Sequence, residues 1–276
     1  MTDTHDALRT RRAPLEYWFV RAQSDALAFL VDFIVRRRQG TAEIRLSYWV
    51  RGIGRVTHDV ANVWVDLPAG VRVGTSVFDG ASTSGASNEV SWDLRFAPGR
   101  WLDPGRAAAP LRIFDMRIAS APGSRVTGSV IVDGEPFAFD EATGVVSHYW
   151  GVRLPDRWTW LSLNTEALDA EALIAHTRVW RTPLRVPVGY TYLRDAGEAR
   201  YVISPLTGAA WATGSADAIT VSSWRPFGRG ASIAATRGSA STNDLGEGIT
   251  QTLVADALID GQRVPGRMGL ETRGWP

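Results

Sequence analysis

The stretch Ser147-His148-Tyr149-Trp150-Gly151-Val152-Arg153-Leu154-Pro155-Asp156-Arg157-Trp158-Thr159-Trp160-Leu161-Ser162-Leu163-Asn164 decides how this chain is read. It holds three of the 12 tryptophans and one of the four histidines. Leu154-Pro155-Asp156-Arg157 reads as a turn, because proline presets φ and aspartate can bond its own backbone. On both sides of it the residues alternate as strands do. Side chains two apart on a strand share a face, so His148 and Trp150 lie together with Tyr149 opposite. After the turn Trp158, Trp160, Ser162 and Asn164 share one face, and Thr159, Leu161 and Leu163 the other. Folded as a hairpin, the stretch would gather an imidazole, three indoles and an amide into one wall of a site. The plainer reading is that tryptophans fill a core and that a lone strand histidine is a satisfied buried side chain. The pattern by itself leaves both open.

The same alternation runs outward in both directions. Leu15–Val20, Ala26–Arg36, Ile44–Val50, Ala61–Leu67 and Val71–Phe78 read as strands, broken by Gly40 and Gly52-Ile53-Gly54. Residues 80–88 are small and polar and read as a loop. Val90-Ser91-Trp92-Asp93-Leu94-Arg95-Phe96 alternates throughout, as a strand with one wet face does. A loop over 97–110 and a strand over Leu111–Ala119 follow. Arg125–Val132 and Glu135–Phe139 flank Asp133-Gly134, the signature of a type I′ hairpin. Glu166–Ala172, short and rich in Ala and Leu, is the one helical patch, and Leu173–Trp180 is a strand. Pro183 and Pro187 mark a bend. Further strands lie at Val188–Leu193, Arg200–Ile203, Ile219–Trp224 and Ser232–Thr236, the last inside a glycine-rich loop over 229–248. Ile249–Ile259 and Val264–Trp275 flank a second Asp-Gly, Asp260-Gly261. The two Asp-Gly hairpins suggest a two-fold repeat. Many short strands and almost no helix predict an all-β fold. The expected division is a disordered leader over 1–13, a first domain over 14–165 and a second over 166–276.

Composition excludes more than any motif supplies. The chain has 276 residues, a formal charge of +1, no cysteine and, since its 30 basic residues are all arginine, no lysine. Thiolate nucleophiles, disulfides and cysteine metal sites are therefore excluded. So are Schiff-base, pyridoxal phosphate, Walker-type and kinase chemistries, each of which needs a lysine. Acids are interleaved with the bases, so nucleic acid is not an expected partner. Arg36-Arg37-Arg38 reads as the solvated end of a strand. His5, His58, His148 and His176 lack ligand spacing, and no metal or other cofactor is expected. No Gly-x-Ser-x-Gly elbow supports a serine hydrolase. The polar start has no secretory core and no stretch is long and apolar enough to span a bilayer. The expected location is cytoplasmic, with peripheral membrane contact open should the substrate be oily. Oligomeric state is not legible. Asp32, inside the apolar run Phe29–Val35, reads first as a polar strand edge and second as a buried acid.

Several elements together resemble a lipocalin-like family of carotenoid hydratases, tocopherol cyclase-like proteins and decalin-forming cyclases. They are Glu16-Tyr17-Trp18, Ser91-Trp92-Asp93-Leu94-Arg95-Phe96, the run over 126–134, and above all His148-x-Trp150-Gly151 followed by Trp158-x-Trp160. The resemblance implies two lipocalin-like antiparallel β-barrel or sandwich halves with a hydrophobic cavity near their junction. It also implies cofactor-free cyclisation, hydration or isomerisation of a polyene, isoprenoid or polyketide. In the hydratases an acid on the following strand is expected to protonate the alkene, and Leu173–Trp180 offers none.

The expected site has His148 as acid/base or polarising donor, Trp150, Trp158 and Trp160 as walls, and Asn164 and His176 as orienting groups. Asp32, Asp79 and Glu16 are the acids that could face His148. Indole faces suit such chemistry, because their quadrupole stabilises a carbocation where water is excluded. A carrier that binds a lipophilic small molecule without changing it would use the same apolar hollow. Only a polar group aimed at the reacting atom separates the two.

Overall fold

A computed structural model describes residues 4–104, 116–178, 185–195, 198–204, 206–237 and 242–275. Among them one short helix, α1 (Thr4–Leu8), precedes two antiparallel sheets. The first is built from β1 (Leu15–Gln23), β2 (Leu27–Arg36), β3 (Thr41–Val50), β4 (Ile53–Ala61), β5 (Trp64–Leu67), β6 (Gly70–Val73), β7 (Ser76–Phe78), β8 (Ser82–Ser87), β9 (Val90–Ala97), β10 (Met116–Val132) and β11 (Glu135–Gly151). The second comprises β12 (Arg157–Asn164), β13 (Leu168–Arg178), β14 (Arg185–Asp195), β15 (Glu198–Ser204), β16 (Ala209–Gly214), β17 (Ala218–Trp224), β18 (Ser232–Thr236), β19 (Asn243–Asp244), β20 (Ile249–Ile259) and β21 (Gln262–Arg273). The all-β class expected from the alternation, and the lipocalin-like plan implied by the resemblance, are those observed.

Both sheets follow one plan. The first strand lies between the second and the last, as β2-β1-β11 in one sheet and β13-β12-β21 in the other. In each, the last two long strands are joined by an Asp-Gly turn. Asp133 and Gly134 have φ of 51° and 81°, and Asp260 and Gly261 have 50° and 81°. Positive φ at both central positions is what a type I′ turn needs, and asparagine, aspartate and glycine tolerate it best. The repeat suggested by these two dipeptides is thus carried through the strand order.

Several local expectations are corrected. The helical patch over Glu166–Ala172 is instead the start of β13, which pairs with β12 from Asp169 onward. Helix propensity in Glu, Ala and Leu is weak and is overridden by ladder pairing on both sides. The loop at 80–88 contains β8, a strand of small residues held between β7 and β9 by backbone bonds that need no apolar side chains. β4 occupies 53–61, where no strand was expected. The leader is not a free tail over its described part: Ala7 and Leu8 are buried, and Thr10 N–H donates to the Pro68 carbonyl at 3.0 Å. The bulk of the first unit runs to Leu154 and that of the second starts at Pro155, so β12 belongs to the second rather than to a domain ending at 165. The expectations for most of Leu111–Ala119, for Trp180 and for Pro183 lie outside the described residues.

Each unit has its own apolar cluster. The first is centred on Trp18, Phe29, Phe33, Phe78, Trp92 and Phe96, the second on Leu161, Leu163, Ile174, Leu193, Met268 and Leu270. Each such side chain contributes about 1.5–3 kcal/mol on burial. Asp32, first read as a strand edge, is buried and paired with Arg45 across β2 and β3 at 2.7 Å. Arg37, read as solvated, is only 19% exposed and bridges Asp66 and Glu16.

Candidate functional site

The central stretch does not fold as a hairpin. β11 pairs with β1 and β10, whereas β12 pairs with β13 and β21, so the turn at 154–157 joins two sheets. The faces read from the sequence nevertheless hold on either side of it. His148 and Trp150 rings lie 4.7 Å apart on one face, and Tyr149 stacks on Tyr17 at 4.6 Å on the other.

His148 is completely buried on the face that carries the first apolar cluster. Its ring is stacked on Trp18 at 4.8 Å and 5°, with Trp150 tilted against it at 31°. Nδ1 meets the Ala7 carbonyl at 2.9 Å and donates to it, since a carbonyl only accepts; Nε2 meets Glu16 Oε1 at 3.0 Å. Glu16 is the acid across from the imidazole, and it also accepts the Arg11 backbone N–H at 2.6 Å and pairs with Arg37 at 3.3 Å. Burial pushes the His148 pKa below its ordinary value; the Glu16 and Ala7 bonds oppose this without reversing it. Arg11 and Arg117 lie over Trp150 at 5.2 and 4.9 Å. Every polar atom of this imidazole is engaged by the protein, and α1 supplies one of its partners.

Trp158, Trp160, Ser162 and Asn164 share the opposite kind of face, the one that does not carry the second apolar cluster. They are buried all the same. A buried indole N–H needs an acceptor, and each of these finds a carboxylate: Trp158 Nε1 donates to Glu271 Oε1 at 3.1 Å, Trp160 Nε1 to Glu171 Oε1 at 3.1 Å. Glu171 Oε1 also receives the Tyr190 hydroxyl at 2.8 Å. Gln251 donates to Glu271 Oε2 at 2.8 Å, and its own Oε1 has no hydrogen-bond partner among the described residues. Strand register explains the gathering. Trp160 sits opposite Leu173 on β13 and Glu271 on β21, and Leu173 sits opposite Tyr190 on β14. Further along the same face Asn164 takes Ser162 Oγ at 3.1 Å and donates to Asp169, which is ion-paired with Arg194.

His176 is half-buried at the end of β13, opposite Arg157 and on the other face from Trp158 and Trp160. Its pKa is lowered, first by burial and then by Arg157 and Arg185. Of the six residues expected to form one site, His148 and Trp150 are in ring contact, Trp158, Trp160 and Asn164 share one face of β12, and His176 lies on the other face of that sheet. The sequence reading missed Glu171, Tyr190, Glu271 and Gln251. The strand after the tryptophans does carry carboxylates, Asp169 and Glu171, both close to the true start of β13. They were hidden by reading that start as helix.

The face and its strand order define a lipocalin-like, two-sheet β protein with a buried tryptophan–carboxylate cluster. No protein-family model matches the chain, and no curated protein matches it. Solved structures do. A protein assigned as ATTH (NE1406) from Nitrosomonas europaea superposes with a TM-score of 0.69 at 16% identity, covering 100% of this chain and 97% of that one. Kievitone hydratase from Nectria haematococca gives a TM-score of 0.61 at 13% identity, over 99% and 92%. CghA with Sch210972 gives 0.65 at 10%, over 95% and 88%. These neighbours match the grouping that the sequence resemblance pointed to, and at such identities what they share with this chain is its fold.

Proposed function

We propose that this chain is a cofactor-free enzyme that binds a lipophilic, unsaturated small molecule, a polyene, isoprenoid or polyketide, and transforms it by proton transfer, with water added in the case of hydration. Cyclisation, hydration and double-bond isomerisation all fall in that class. The observation that carries the reading is Glu171, a fully buried carboxylate that receives Trp160 Nε1 and the Tyr190 hydroxyl on one oxygen. Two donors on one oxygen hold the carboxylate in a fixed orientation beside the Tyr190 hydroxyl. Tyr190 would pass its hydroxyl proton to Glu171 as it takes one from the ligand, and the same relay run backward would return a proton to another atom of the ligand. Trp158 and Trp160 would offer π surface to developing positive charge, and an apolar surrounding strengthens that attraction. Gln251 Oε1 would accept a ligand hydroxyl. That a structural neighbour is a hydratase supports the reaction class.

The test is turnover. Purified protein incubated with polyene, isoprenoid and polyketide mixtures should yield a product heavier by one water, or an isomer of equal mass, by liquid chromatography and mass spectrometry. Glu171→Gln keeps the shape of the group and should slow that turnover by about 10²–10⁴-fold, the usual worth of a positioned acid or base. Ligand recovered unchanged from a tight complex would make the protein a carrier. Turnover in Glu171→Gln equal to that of the parent would remove Glu171 from the chemistry.

A further inference from the structure

We propose that the end of the second unit carrying the β15–β16 and β17–β18 loops is a docking tip for an anionic phospholipid surface. Four large apolar side chains are exposed there or close by: Phe227 at 95%, Trp224 at 56%, Leu206 at 51% and Trp211 at 44%. Strand register brings them together. Ala209 pairs with Trp224, and Trp211 with Ser222, so the two indoles project from one face of the β16–β17 ribbon. The same pairing sets the loops side by side, with Leu206 three residues before Ala209 and Phe227 three after Trp224.

The loops are braced rather than loose. Thr207 N–H donates to the Ile203 carbonyl at 2.8 Å, Ser223 N–H to the Ala231 carbonyl at 2.8 Å, and Ala231 N–H to Ser223 Oγ at 2.9 Å. Phe227 is therefore presented to solvent on a held backbone. Aromatic rings of this kind partition into the headgroup layer of a bilayer. β16 is also the end strand of its sheet.

Charge selects the partner. Between Leu206 and Gly230 the sequence has two arginines, Arg225 and Arg229, both in the Phe227 loop, and one acid, Asp217. Asp217 lies at the far end of β17 and is paired with Arg237 at 3.0 Å. The acid that faces Arg229 is Asp260, and it is paired with Arg200 at 2.8 Å. The Phe227 loop is thus cationic as well as apolar. A second copy of the same chain would bring like charges against these arginines, whereas anionic lipid would neutralise them. The inference does not depend on the chemistry at Glu171.

Co-sedimentation with vesicles of phosphatidylcholine, with and without phosphatidylserine, tests it. The protein should pellet with the anionic vesicles, and less so as salt is raised. Phe227→Ser with Trp224→Ser should weaken pelleting by about tenfold or more, because the apolar insertion is gone. Arg225→Gln and Arg229→Gln should each weaken it by about fivefold and flatten the salt dependence. Equal pelleting with both vesicle types, or none, overturns the proposal, as does a Phe227/Trp224 variant that pellets like the parent. Light scattering on the same samples reads the alternative occupant: a dimer that the Phe227/Trp224 variant dissociates, with no vesicle binding, also overturns it.

Discussion

In the first sheet Glu16, Trp18, His148 and Trp150 sit on the face that carries the apolar cluster, while in the second Trp158 and Trp160 sit on the face opposite it. The strand order around β1 and around β12 is the same, so plan does not account for the difference. It lies in which alternate set of residues is aliphatic. On β12 Leu161 and Leu163 take the core side and leave the even positions to two indoles, a hydroxyl and an amide; on β1 Trp18, Val20 and Ala22 take it. Because the side-chain period of a strand is two, a change of one position sends a whole set of residues to the other side. Two tryptophan-bearing segments that look like one wall in the sequence therefore lie on different kinds of face. Both ring nitrogens of His148 are held by protein groups, and the Glu171 cluster is where proton transfer is proposed.

That contrast can be broken most sharply at His148. Alanine there removes a ring packed between two indoles, leaves the Ala7 carbonyl without its partner in a buried site and takes from Glu16 one of its three. Uncompensated buried groups are costly, and a loss of about 3–5 kcal/mol in unfolding free energy is expected from denaturant titration. His176→Ala, at a half-buried strand end, should cost less than about 1 kcal/mol. A stable His148→Ala variant that has lost turnover would return His148 to the chemistry, as the sequence had suggested.

The shared plan has a smaller test. Gly134 and Gly261 both have φ of 81°, and an added Cβ at either would meet nothing within 4 Å. Alanine at each position therefore carries backbone strain alone, about 1–2 kcal/mol. Equal losses are expected if the two turns are equivalent parts of a repeated unit. A loss at one turn with none at the other would show that the resemblance between the hairpins is superficial.

Much of this is legible in the sequence. Alternation placed His148 with Trp150, Trp158 with Trp160 and Asn164, and the two Asp-Gly dipeptides marked both long hairpins, because these are local consequences of a two-residue period and of positive φ. Pairing is not local. Nothing within Leu154–Arg157 distinguishes a hairpin turn from a passage between sheets; that is settled by β1 and β21, one near the start of the chain and one near its end. Glu171 was lost for a related reason, since Glu166–Ala172 has helical composition and becomes strand only when β12 and β14 pair with it. Glu16, Asp32 and Asp79 are equally eligible in the sequence to face His148, and only the pairing of β1 with β11 selects Glu16.

The mildest effect should come from pH, and it compares one histidine in each sheet. Both His148 and His176 have pKa values held below the ordinary 6.5, in each case chiefly by burial. A group whose folded pKa is depressed binds protons more readily in the unfolded chain, so stability is fully present above the unfolded value and drains away as pH falls below it. Melting temperature should therefore be flat above about pH 7 and decline from about pH 6.5 downward, toward the lowered folded values. His176→Gln should make that decline shallower without abolishing it, because His148 still contributes. Arg157→Gln removes one of the two cations that disfavour the charged His176 ring, and should shift the decline in the same direction by a smaller amount. A profile that His176→Gln leaves unchanged would mean that the first sheet alone, through His148, sets the acid limit of the fold.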